Sequence, residues 1–219
     1  MDTVVIVLFS LVSCIHLVSC YFGVKTVRGI TKCLLMPLLA AVYLLLSAAP
    51  NYLVIMALAF SFVGDVLLLG PKSADSMKPG IASFAVTHLL YIVVTVNSGL
   101  MQGIPIWAIV VIGLAFLIAG SLVYMEIRKY ASTKLKLFAV PYVLLIFGMS
   151  ALQTMVFVNK PSFGTVLLAV GSLFFIVSDT TLSMSVLKPA KKVTLTNFFV
   201  MITYILAQLL IVCGYNMVL

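Results

Sequence analysis

Apolar residues fill long runs of this chain, and the polar positions fall mostly between those runs. A spanning helix needs about 20 mainly apolar residues. Cutting the runs at clusters of charge, Gly, Pro and Asn predicts eight helical segments: 3–23, 33–48, 51–70, 80–98, 104–124, 136–158, 161–187 and 196–218. The cut at "SAAPN" (47–51) separates eight segments from seven, since one long kinked helix could cross it.

The basic residues decide between the two. Lys25, Arg28 and Lys32 follow segment 1, and Lys72 and Lys78 follow segment 3. Arg128, Lys129, Lys134 and Lys136 follow segment 5, and Lys188, Lys191 and Lys192 follow segment 7. Only Lys160 falls in the opposite loops, so eight helices put twelve of the thirteen basic residues on one side. Positive loops mark the cytoplasmic face, which leaves both termini on the non-cytoplasmic side. The expected fold is all-α: one polytopic bundle of eight transmembrane helices, a single domain over residues 1–219.

Composition supports the membrane. The 219 residues are 64% hydrophobic and only 8% charged, against roughly 25% charged in soluble domains. The net charge of +8 reads as basic loops on an anionic leaflet, not as a nucleic-acid surface. The four cysteines form no CxxC and read as small hydrophobes, not as a disulfide framework or zinc site. No basic stretch precedes the first apolar run, so segment 1 is expected to be retained and not cleaved.

Ionisable residues inside spans are rare and point to function. Of the five acids, Asp2 and Asp75 fall in ends or loops, and Glu126 stands beside Arg128 and Lys129. Asp65 and Asp179 lie within spans, and no basic residue is close enough in sequence to pair with Asp65. The helix rise places Asp65, Asp179, His88 and Tyr204 about 10–18 Å from their basic flanks, at similar depth. Helical spacing adds same-face companions: Ser61 with Asp65, His88 with Tyr91, Tyr204 with Gln208, and Ser172 with Asp179. Gly64, Gly171 and Ser178 would let helices approach closely beside them. Each of these residues could instead serve packing or capping, but two acids at matched depth favour a lined cavity.

Two carboxyls buried near one another can share a proton and supply an acid and a base at one site. A zinc hydrolase needs about three protein ligands, commonly His-rich, and this chain has only His16 and His88. Neither a G-x-S-x-G elbow nor a glycine-rich phosphate loop is present.

Five stretches carry a family resemblance: "KCLLMP" (32–37), "SFVGDVLLL" (61–69), "FAVTHLLY" (84–91), "GSLFFIVSD" (171–179) and "TYILAQLLI" (203–211). Tyr124 and "PY" (141–142) add to them. In this order the chain resembles the YhhN-like lysoplasmalogenase family of multi-pass membrane proteins. The resemblance implies hydrolysis of the vinyl ether bond of lysoplasmalogens, to a fatty aldehyde and glycerophosphoethanolamine or glycerophosphocholine. Asp65 and Asp179 would be the catalytic acid and carboxylate. Tyr204, Gln208, His88 and Tyr91 would hold water and the glycerol hydroxyls, with Ser61, Tyr124 and Ser178 completing the substrate-binding set. Lys32, opening segment 2, would meet the lipid phosphate. The expected partners are a lysophospholipid and the bilayer; no cofactor or metal is required. The site would open toward the cytoplasmic half of the membrane. A proton-coupled transporter and a non-catalytic lipid-binding protein are the competing classes. A transporter would show pH-gradient-driven flux without releasing aldehyde, and a binding protein would tolerate Asp65→Asn.

Overall fold

The computed structural model describes residues 2–70, 76–188 and 193–219. Lys72, Asp75, Lys191 and Lys192 lie outside the described residues, as do the side chains of Asp2 and Lys134. The described residues form eight helices: α1 Asp2–Phe22, α2 Lys25–Leu46, α3 Tyr52–Leu67, α4 Lys78–Asn97, α5 Ile106–Tyr130, α6 Thr133–Asn159, α7 Phe163–Leu187 and α8 Val193–Val218. Seven are long and apolar enough to cross a membrane, and α3 is the shorter exception at 16 residues. The set fits an integral multi-pass membrane protein.

The break at 47–51 is present. Asn51 caps α3 by accepting a bond from Leu53 N (2.9 Å), and its own N–H donates to the Tyr43 hydroxyl (3.0 Å). Both ends of the break are thereby fixed, and α2 and α3 are separate helices. Three boundaries differ from expectation. α2 begins at Lys25, not 33, because Gly23 (φ 74°) closes α1 and the chain turns almost at once. α5 continues to Tyr130, and Ser132 caps α6 two residues later. Lys25, Arg28, Lys32, Arg128, Lys129 and Lys136 therefore ride on helices and not in loops. Lys and Arg are good helix formers, so a helix accepts them near a membrane surface. α3 ends at Leu67 instead of running to 70, before the helix-breaking pair Gly70-Pro71.

Charge is nonetheless segregated by bundle end. Lys78 at the start of α4 sits 5.9 Å from the Phe138 ring of α6, and Lys188 beyond α7 sits 5.5 Å from the Tyr130 ring of α5. Those four helix ends therefore share one face. At the other, Lys160 and Asn159 donate to backbone carbonyls of Gly99 (3.2 Å) and Gln102 (2.9 Å).

Small residues set the tightest helix pairs. A Cβ on Gly171 would stand 3.0 Å from the Ala207 carbonyl oxygen, so α7 meets the backbone of α8 directly. A Cβ on Gly64 would stand 2.8 Å from the Phe84 ring, which locks α3 to α4. Close approach of this kind replaces the hydrophobic drive that lipid cannot supply. α5 is peripheral and packs mainly on α6. Its Trp107, Leu114 and Ile118 are more than half exposed (60%, 54% and 61%), as lipid-facing side chains should be.

Candidate active site

At the basic end of the bundle a cleft of about 570 Å³ opens among α1, α2, α3, α7 and α8. Asp65 of α3 and Asp179 of α7 both line it. The two acids reach it from unlike positions: Asp65 lies in the last turn of α3, whereas α7 runs on to Leu187.

Asp65 is 2% exposed and has two partners among the described residues. Tyr204 donates to Oδ2 (2.9 Å), and Lys32 Nζ lies 3.2 Å from Oδ1. Lys32 comes from a different helix, which is why no sequence neighbour announced the pair. Its expected place at the opening of α2 is corrected by the early start of that helix. Lys32 lies two turns inside α2, its ammonium against Asp65 and its side chain on the cleft wall. Lys25 and Arg28, nearer the start of α2, line the cleft, and no carboxylate among the described residues pairs with them.

Asp179 is held differently. The Tyr142 hydroxyl of α6 donates to its Oδ2, and His88 Nε2 lies 3.6 Å from the same oxygen. His88 Nε2 is also 3.4 Å from the Tyr142 oxygen. Because the Tyr142 proton goes to Asp179, its oxygen can accept from His88 Nε2–H. That tautomer leaves Nδ1 a bare acceptor, and Nδ1 has no partner among the described residues. The His88 ring meets Phe175 edge to face at 4.6 Å, and Phe175 in turn packs on Phe84 and Tyr204. These ring contacts run between the surroundings of the two acids and brace both tyrosines.

Three expected substrate contacts lie behind the cleft instead of on it. Tyr91 donates to Gln208 Oε1 (2.8 Å), Gln208 Nε2 donates to Ser61 Oγ (2.8 Å), and Ser61 is 3.1 Å from Thr87 Oγ1. Thr87 closes the chain on the Ala57 carbonyl (3.2 Å). All four side chains are fully buried, and this satisfied network ties α8 to α3 and α4. Ser178 lines the cleft, but its hydroxyl donates to the Val200 carbonyl (3.1 Å) and so serves the α7–α8 contact. Tyr124 lies elsewhere, on a groove between α5 and α6, because α5 stands off the bundle.

Two residues of the site escaped sequence reasoning. Tyr142 is one; Pro141 before it, set inside α6, was the available signal. The other is His16, fully buried on α1 and lining the cleft. Thr31 donates to the Val27 carbonyl (2.7 Å), so it accepts from His16 Nδ1–H (2.8 Å). Nε2, 3.5 Å from Cys20 Sγ, is then the basic nitrogen. In a pattern analysis a lone His on an apolar helix resembles any packing residue.

No curated protein and no solved structure matches the chain. One family model does, over residues 27–215, from the first turn of α2 to the end of α8, so His16 lies outside the matched span. With both aspartates, Lys32, His88, Tyr142 and Tyr204 inside that span, the chain belongs to the YhhN family.

Proposed function

We propose that this protein is a lysoplasmalogenase, hydrolysing the vinyl ether of an alkenyl glycerophospholipid that has one hydrocarbon chain. One observation carries the reading: two aspartates from different helices, each bonded by a tyrosine hydroxyl, line one cleft at the basic end of a helical bundle. Membership of the YhhN family is consistent with it.

The two acids are set for unequal roles. Asp65 has an ammonium beside it and acts as the carboxylate. Asp179, bonded to Tyr142, acts as the proton donor. Asp179 gives its proton to the outer alkene carbon, and positive charge develops on the inner carbon and ether oxygen. Asp65 steadies that cation and takes a proton from the water that adds to it. The resulting hemiacetal transfers its hydroxyl proton to the departing glycerol oxygen. Aldehyde and glycerophospho-alcohol leave, one water is consumed, and the proton held by Asp65 passes through cleft water to Asp179, which restores both acids. Arg28 and Lys25 at the mouth meet the phosphate, the role expected of Lys32. By the positive-inside rule this mouth faces the cytoplasm.

The test is purified protein in nanodiscs with an alkenyl lysophospholipid, with aldehyde as the readout. Wild type should release aldehyde, and Asp65→Asn and Asp179→Asn should each lose roughly 100-fold or more in kcat. Turnover by either variant within a few-fold of wild type would sink the acid pair. Proton-driven flux without aldehyde would identify a transporter instead.

A further inference from the structure

We infer that the hydrocarbon chain of the substrate leaves the cleft sideways, between α4, α6 and α7, and ends in the groove between α5 and α6. This rests on the reading of the substrate as a single-chain lipid. Met77 and Val186 line the cleft and also a small cavity of about 40 Å³. Val143 lines that small cavity and also the α5–α6 groove of about 380 Å³. The three spaces follow one another through shared walls. Tyr142, the hydroxyl donor to Asp179, lines the narrow middle one. A chain threaded there passes the carboxyl that protonates its first carbons.

Polarity falls along the path as it does along such a lipid. The cleft holds Lys25, Arg28 and both aspartates. The neck offers only the hydroxyls of Tyr142 and Ser183. The groove has Ser121 and Tyr124 among apolar walls. Glycine makes the groove: Gly113, Gly120 and Gly148 line it, and a Cβ on Gly148 would meet nothing within 4 Å. That gap faces the bilayer side of the bundle, where a chain can enter without crossing water.

Two experiments on the full-length protein in nanodiscs test the path. In the first, Gly148→Phe fills the groove, and Leu114→Phe on the outer face of α5 is the control. Gly148→Phe should lower the long-chain to short-chain ratio of kcat/KM roughly tenfold or more, the discrimination a filled apolar pocket provides. The control should leave that ratio unchanged. The second uses wild type and needs no variant to fold. A non-hydrolysable alkyl lysophospholipid bearing a diazirine at its chain end should label residues lining the α5–α6 groove. An unchanged ratio in Gly148→Phe, or label spread evenly over the lipid-facing surface, overturns the path. Aldehyde release with label outside the groove refutes the path alone. Groove labelling with no aldehyde from wild type refutes the activity and leaves the chain site standing.

Discussion

Lys32→Met isolates the ion pair on which the Asp65 assignment depends. The substitution keeps the apolar stem and removes the ammonium 3.2 Å from Asp65 Oδ1. Asp65, at 2% exposure, then keeps Tyr204 as its one donor among the described residues. Removing one member of a buried pair costs about 3–5 kcal/mol. The surviving 2.9 Å bond from Tyr204 puts the expected loss at the lower end, about 3 kcal/mol. At about 2–4 °C per kcal/mol for a chain of this size, Tm should fall by about 6–12 °C. Lys32→Met with Asp65→Asn removes both charges and should recover most of that loss. Asp65→Asn alone should cost about 1 kcal/mol, since Lys32 can extend its ammonium toward the cleft mouth. The cycle should then show a coupling of about 2 kcal/mol or more. Thermal unfolding of the four proteins in one detergent, followed by far-UV circular dichroism, measures it. The double variant should be folded yet inactive. A Lys32→Met protein within about 2 °C of wild type, with no recovery in the double variant, would show that the pair is not coupled in the membrane.

Tyr142→Phe deletes the one hydroxyl among the described residues bonded to Asp179 and should lower kcat roughly 10–100-fold with little change in KM, as steady-state kinetics would show. Arg28→Gln should raise KM roughly tenfold at unchanged kcat, and raising salt should weaken wild-type binding but affect the variant less. Gly171→Val adds atoms where even a Cβ stands 3.0 Å from the Ala207 carbonyl; a loss of about 1–3 kcal/mol should appear as a lower Tm.

The apolar runs located the eight helices of the described residues, seven of them long and apolar enough to cross a membrane. The short polar stretch "VKTVRGITK" (24–32) read as a loop, although helical backbone tolerates cations near a membrane surface. That error hid Lys32, whose partner lies 33 positions away on α3. Asp65 and Asp179 were legible because an acid in a span stands out against its surroundings. Tyr142, Thr87 and His16 were not, since their roles depend on which helices are neighbours. The i,i+4 pair Ser61 and Asp65 shows the same limit: two polar residues share a face, yet one meets the cleft and the other a buried network.

The shortness of α3 has a consequence for the lipid around it. Sixteen residues span about 24 Å, against about 30 Å of hydrocarbon in an ordinary bilayer. If α3 spans the bilayer, local thinning would relieve the mismatch and draw headgroups and water inward beside that helix. The end of α3 borders the cleft and carries Asp65. Under the proposed function, such thinning would bring a leaflet phosphate toward the depth of Asp65, and the host membrane's thickness would become a control on turnover.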